Sequence, residues 1–342
     1  MKQALLFLAF FGALFADLEL ETLSDDFVLE VKRVEIPDFP YAFNASMVPW
    51  QGFILMSFRT IPNPKDVFTS WIGVILLDRA FNPVGEPQIL QTRAKGSAAP
   101  PRAEDARLVY IGGRLHIVYS DNDEPELTGG GFRVVVGELA YRNGLFSIEN
   151  ARRLVEFEGE MKTLREKSWV PFDWMGSLLL SYTISPHLVF QPLQRTGVCH
   201  TLARSDPPLE WDWGVIRGGT PALLLENGEY LSFFHSVKKM ATENSKGKTM
   251  SHYFIGAYTF SSTLPFQLTR LSPKPIVGSG FYTGASYKPY WGSIQCVFPA
   301  GLILDGNDLW ISYGRQDHEI WVARLDKRRL MNTLKPIDRS KS

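Results

Sequence analysis

The densest chemistry in this chain sits in Arg102-Ala103-Glu104-Asp105-Ala106-Arg107, where two adjacent carboxyls stand between arginines. A carboxyl that must carry a proton near neutrality needs burial or a second carboxylate to raise its pKa. Glu104 beside Asp105 meets that need on paper. Further reactive types recur along the chain: Asn44 and Ser46, Arg59, Glu166-Lys167, Arg217-Gly218-Gly219-Thr220, His235, and Tyr313-Gly314-Arg315-Gln316-Asp317-His318. The cationic members supply charge-assisted hydrogen bonds suited to an oxyanion. No Gly-x-Ser-x-Gly elbow is present, which disfavours a serine hydrolase. His187 and His200 lack ligand spacing, and Cys199 and Cys296 form no CxxC, so no metal is expected. The two cysteines read as separate buried thiols.

Several features carry a blander reading. Gly129-Gly130-Gly131 has no Lys-Ser/Thr after it and reads as a flexible turn. His116 sits in an apolar run and reads as a core residue. Trp211-Asp212-Trp213 could stack on a sugar or pack a strand end, and both stay open. Asn44-Ala45-Ser46 fits a glycosylation sequon, but its place among the reactive residues makes that a chance match.

The elements that must position these residues show as a fivefold pattern. Five segments each begin with polar residues, run through a short apolar strand, turn near a glycine, and enter a second apolar strand. They start at Phe43, Glu104, Glu166, Arg217 and Phe298, and turn at Gly52, Gly112-Gly113, Gly176, Gly228 and Gly306. A third apolar strand follows in most units, as in Trp71–Leu77, Phe132–Leu139, His252–Tyr258 and Ile320–Leu325. Turn glycines about 50 to 80 residues apart match the period of a multistranded blade, and closing blades into a ring removes exposed sheet edges. The pattern predicts an all-β, five-bladed β-propeller, with a jelly roll or sandwich as the rival. If the first strand of each unit is innermost, the polar starts converge at one axial mouth. They form either a binding site or an internal network of ion pairs.

Composition agrees with one folded unit. Of 342 residues, 45% are hydrophobic and 21% charged, which excludes a disordered chain. Aromatic residues at 13% favour strands and also line sugar sites. Lys and Arg balance Asp and Glu at 36 each, and no basic stripe stands out, so a nucleic-acid partner is not expected. Asp326-Lys327-Arg328-Arg329 reads as a solvated end. Met1-Lys2, the apolar run Ala4–Ala16 and the acidic residues after it read as a secretory leader cut after Ala16. That leaves 17–342 as a single propeller domain in a secreted or periplasmic protein. The run is too short to span a bilayer comfortably, and no later segment looks transmembrane.

The chain after residue 16 resembles the five-bladed propeller glycosidases, most closely the mannoside phosphorylases and hydrolases of glycoside hydrolase family 130. The resemblance rests on Phe43–Ser46, Arg59, Arg102–Arg107, Glu166–Phe172, Arg217–Pro221, His235 and Tyr313–His318, in that order and one motif per blade. Ala106 stands where the family has proline, which marks a divergent branch. The resemblance implies inverting cleavage of a glycosidic bond, with Asp105 as proton donor and phosphate or water as nucleophile. It implies sugar binding by Asn44, Arg59, Glu104, Tyr313 and Asp317, and anion binding by Arg107, Lys167 and His235. No cofactor is implied beyond inorganic phosphate as a co-substrate, and an oligosaccharide is the partner. The alternative is a propeller that binds glycans or a protein without turnover. An acid facing a sugar-sized pocket would discriminate the two.

Overall fold

The computed structural model describes residues 24–63, 66, 69–93, 101–122, 131–160, 166–193, 195–241, 247–283 and 294–338. The expected leader and most of the Gly129–Gly131 turn lie outside them. Five antiparallel sheets stand around one axis as the five blades of a β-propeller. From the axis outward, the first blade is Phe43–Trp50, Phe53–Thr60, Trp71–Leu77 and Gln88–Ile89. The second is Glu104–Ile111, Arg114–Asp121, Arg133–Arg142 and Leu145–Arg153. The third is Val170–Trp174, Ser177–Ile184, His187–Pro192 and Cys199–Ser205, and its third strand is one that the repeat pattern leaves unassigned.

The fifth blade is closed from the other end of the chain. Val297–Asp305, Asp308–Arg315 and Glu319–Asp326 run outward, and the N-terminal strand Val28–Val34 completes the sheet against Glu319–Asp326. A helix, Lys327–Thr333, follows, N-capped by Asp326, whose side chain accepts from the Arg329 amide. It returns the chain to Lys335–Pro336, which adds an outer strand to the fourth blade. Among the described residues, no helix is long and apolar enough to cross a membrane.

The fourth blade departs from the simple pattern. Its innermost strand is split into Val215–Gly218 and Leu223–Leu224, both paired with Glu229–Ala241. Pro221 has no amide hydrogen to give a ladder, so the strand cannot continue through it. Between the two pieces Thr220 N still donates to Phe233 O of Glu229–Ala241, whereas Ala222 N turns to Pro171 O of the third blade. Glu229–Ala241 and Thr249–Ser261 each run 13 residues, longer than any other strand pair in the ring.

Local geometry follows the sequence. Gln51-Gly52 and Met175-Gly176 have positive φ at both residues (48° and 86°, 52° and 82°), the mirror-image turn that suits the twist of a hairpin. Alternating apolar residues fill five wedges, one at each blade junction. The first and second blades share Leu55, Val74, Leu108 and Ile117, and the fifth and first share Met47, Phe58, Ile303 and Val322. Each such buried side chain contributes roughly 1.5–3 kcal/mol of transfer free energy. Near the axis, hydroxyls join neighbouring inner strands: Ser46 Oγ accepts from Leu108 N at 3.0 Å, and Ser312 Oγ donates to Ala45 O at 2.6 Å.

Candidate active site

The inner strands of the first and second blades carry the same irregularity. Their pairing slips between Phe43 and Ser46, and again between Glu104 and Arg107. Within each slip one residue takes a left-handed conformation: Asn44 with φ 48° and Asp105 with φ 51°. Asn and Asp are the non-glycine types that adopt this conformation at least cost. A bulge of this kind re-aims a side chain. Here it turns Asn44 and Asp105 toward one another, and Asn44 Nδ2 donates to Asp105 Oδ1 at 2.9 Å.

The fifth blade supplies the third member. Gln316 and Asp317, with φ 56° and 47°, form the turn into Glu319–Asp326, closed by His318 N donating to Arg315 O at 3.1 Å. Asp317 Oδ1 accepts from Asn44 Nδ2 at 3.3 Å and from the Cys296 thiol at 3.6 Å. The turn is clamped from below, since Gln316 N donates to Cys296 O and Cys296 N to Gln316 Oε1. Gly314 makes room for this arrangement. A Cβ there would lie 1.8 Å from Asn44 Oδ1 and 2.9 Å from Asn44 N. Gly314→Ala is therefore expected to displace the Asn44 side chain. Calorimetric titration with an oligosaccharide should show affinity reduced about tenfold or more; unchanged affinity would remove Asn44 from the site.

Charge is held by Arg59, buried at the end of the first hairpin. Its Nη2 donates to Glu104 Oε1 at 2.8 Å, its Nη1 to Asp105 Oδ1 at 3.4 Å, and its Nε to Ser70 Oγ at 2.8 Å. Ser70 in turn donates to Ala103 O, so the guanidinium plane is fixed. Lys167 Nζ reaches the second oxygen of Glu104 at 3.2 Å and lies over the Phe132 ring. Arg107 is 2% exposed; its Nε donates to Gly219 O at 2.9 Å and its Nη1 to Asp105 O at 2.6 Å. The opened strand at Gly219 is what presents that carbonyl.

Arg107 lies over Phe298, with 5.2 Å from its Cζ to the ring centroid, and the His235 ring touches the same phenylalanine at 4.7 Å. His235 also stacks on Tyr253. Arg107 Nη2 and His235 Nδ1 are both buried with no hydrogen-bond partner. Buried polar groups of this kind normally have a hydrogen-bond partner.

Two expectations change on this geometry. The Asp105 carboxyl was expected above the ordinary range. Burial does push it up, but Arg59, Lys167, Arg107 and the Asn44 hydrogen bond outweigh burial, and it sits below that range. His235 was expected on the cationic side. Burial, with the nearby Arg107 and Arg217 charges, pushes its imidazole down to about 3, so near neutrality it is an uncharged hydrogen-bonding group. Burial also pushes Arg107 down, to about 10, leaving it charged.

The structure thus joins Asn44, Arg59, Glu104, Asp105, Arg107, Lys167, His235 and Asp317 into one network. Tyr313 is not brought there. It alternates with Ser312 along its strand and faces the wedge between the fourth and fifth blades, fully buried against Phe281. Glu166 turns to the Tyr182 hydroxyl, and Trp211 and Trp213 pack edge-on against Phe234 and Phe254. Cys199 and Cys296 are both buried free thiols. Sequence reading missed Ser70, Gln316 and Cys296; of these, only Gln316 lay inside a motif singled out for chemistry.

No protein-family model matches the chain, and no curated protein matches it in sequence. Solved structures do match in shape. A structure of the GH130 family of mannoside phosphorylases, which contains glycoside hydrolases that target β-1,2 mannosidic linkages in Candida mannan, superposes with a TM-score of 0.62 at 13% identity. The match covers 90% of this chain and 97% of that one. A glycosyl hydrolase from Bacteroides ovatus gives 0.61 at 14% identity, covering 88% and 86%. A mannose phosphorylase from Leishmania mexicana, solved in complex with phosphate ion, gives 0.59 at 12% identity, covering 97% of each chain. At these identities the likeness establishes the shared five-bladed fold.

Proposed function

We propose that this chain binds an oligosaccharide at the blade axis and cleaves a glycosidic bond there with inversion, a mannoside being the favoured substrate. The observation that carries this reading is the convergence of Asn44, Asp105 and Asp317, each in a left-handed conformation, on a point walled by Arg59, Arg107 and Lys167. Backbone strain concentrated at one spot is characteristic of functional sites. The shared fold with a mannose phosphorylase and with glycosyl hydrolases supports the same reading.

In this proposal Asn44, Asp317, Glu104 and Arg59 hold sugar hydroxyls. Arg107 and Lys167 hold the anionic nucleophile, with neutral His235 as a further hydrogen-bonding partner. An oxygen of phosphate or water attacks the anomeric carbon as the bond to the leaving sugar breaks, and the leaving oxygen takes a proton from Asp105; where water attacks, its own proton passes to solvent. Among its cationic neighbours Asp105 is ionised before substrate binds. In the phosphate-dependent reaction its protonation therefore accompanies binding, because an anion seated on Arg107 and Lys167 offsets the charges that hold its pKa down. This ties acid catalysis to occupancy of the nucleophile subsite.

A panel of mannosides and glucosides incubated with and without inorganic phosphate, reading sugar phosphate and free sugar separately, tests the proposal. Turnover of a mannoside supports it. Lys167→Ala should raise the KM for phosphate about tenfold while affecting a water-dependent reaction less. Glycan binding without turnover of any member would overturn the enzyme reading in favour of a binding propeller.

A further inference from the structure

A cavity opens beside the axial network, on the same face of the ring. Val34, at the end of the outermost strand of the fifth blade, pairs with Ile320. From there residues 35–42 carry the chain inward across the face to Phe43 and Asn44. Pro37 and Asp38 make a turn, with φ 62° at Asp38 and Phe39 N donating to Ile36 O at 3.1 Å. The opposite wall is His318-Glu319-Ile320, the residues that directly follow Asp317. Between the two walls lies a cavity of about 230 Å³.

The lining has the chemistry of a carbohydrate site. The His318 ring and Phe39 supply aromatic surface in the lining, and Tyr41, 41% exposed and outside the lining, meets the His318 ring at 5.3 Å and supports it. An aromatic side chain of this kind suits the apolar face of a pyranose. Arg33, Glu35, Asp38 and Glu319 supply charged hydrogen-bonding groups, with Arg33 3.6 Å from both Glu35 and Glu319. Drug-sized ligands occupy pockets of roughly 300–1,000 Å³, so this smaller one suits a single ring. Three carboxylates against one guanidinium disfavour an anionic sugar by like-charge repulsion.

We propose that this cavity is a second carbohydrate subsite, holding one neutral sugar ring of a chain whose neighbouring part lies at Asn44 and Asp317. The inference rests on the sugar-binding reading of the axial site. Asn44 lies two residues beyond Ala42 in one wall, and Asp317 immediately precedes His318 in the other. One continuous oligosaccharide can therefore reach both places.

The test is calorimetric titration of the full chain with β-1,2-linked manno-oligosaccharides of two, three and four rings. Affinity is expected to rise about tenfold between two rings and the longer members. Tyr41→Ala and His318→Ala should each bring the ratio of those affinities close to one, with unchanged thermal melting as the control for folding. Affinity that is flat with length, or a gain that survives both substitutions, overturns the second subsite and leaves the axial reading standing. Absence of binding at every length overturns both. An equal gain for a chain ending in a uronic acid overturns the assignment to a neutral ring.

Discussion

Asp105→Asn is expected to lower turnover of the cleaved glycoside by about 10²–10⁴-fold, the usual contribution of a general acid, while glycan affinity changes little. The substitution is close to isosteric. One side-chain oxygen remains to accept from Asn44 and Arg59, as Asp105 Oδ1 does now. What is lost is the transferable proton. The pH profile separates this role from mere support of the network. In the wild type, activity should fall as pH rises through the pKa of the Asp105 carboxyl in the loaded site. That limb should vanish in Asp105→Asn, and the residual rate should depend less on pH. Turnover within a factor of two of wild type would leave the enzyme standing and remove Asp105 as its acid.

Arg59→Ala is expected to cost about 3–5 kcal/mol of folding stability, the range for breaking a buried ion pair from one side. Glu104 and Asp105 are both buried, and Arg59 is the one cation that touches both side chains in the described residues. The pH dependence has a definite sign. The folded Asp105 carboxyl sits below its ordinary value, so its contribution is present above about pH 4 and is lost as pH falls through the folded pKa. Without Arg59 that depression shrinks. The gap between wild type and variant should therefore narrow on acidification below about pH 4, as measured by urea unfolding between about pH 5 and pH 2. A gap under 1 kcal/mol, or one independent of pH, would mean that Lys167 and Arg107 already neutralise the carboxylates.

Much of this was legible in the sequence because it is local. Hairpin turns announce themselves through Gln51-Gly52, Asn227-Gly228 and Asp305-Gly306, and five similar hairpins in series imply a ring. Position around the axis was legible in part: polar residues open the inner strands of the first and second blades, whereas the fifth blade's contribution comes from the turn at Asp317, and its inner strand Val297–Asp305 starts apolar. Charge state was not legible. The Asp105 carboxyl stands beside Glu104 in sequence, which points to a raised pKa, but Arg59 and Lys167 arrive from the first and third blades and reverse the sign. Tyr313 shows the other limit. It neighbours the site motif along the chain, but strand alternation sends it to the core face, and a one-residue difference in parity is invisible without the register. The split at Gly219–Ala222 was readable after the fact from Pro221; the carbonyl it offers to Arg107 was not.

The N-terminal strand that completes the fifth blade also sets an order of events. Val28–Val34 leaves the ribosome first, yet its partner Glu319–Asp326 is made almost three hundred residues later. Until then the strand has unpaired backbone groups and no sheet to join, and the last blade lacks its outer edge. Contacts so distant in sequence form slowly, because loop closure must precede any gain from pairing. The ring should therefore close as a late step, after the first three blades, and the hairpins of the fourth, have formed in sequence. Reopening should begin at the same seam, so the first amides to exchange their hydrogens in the native protein should be those of Val28–Val34 and its partner strand.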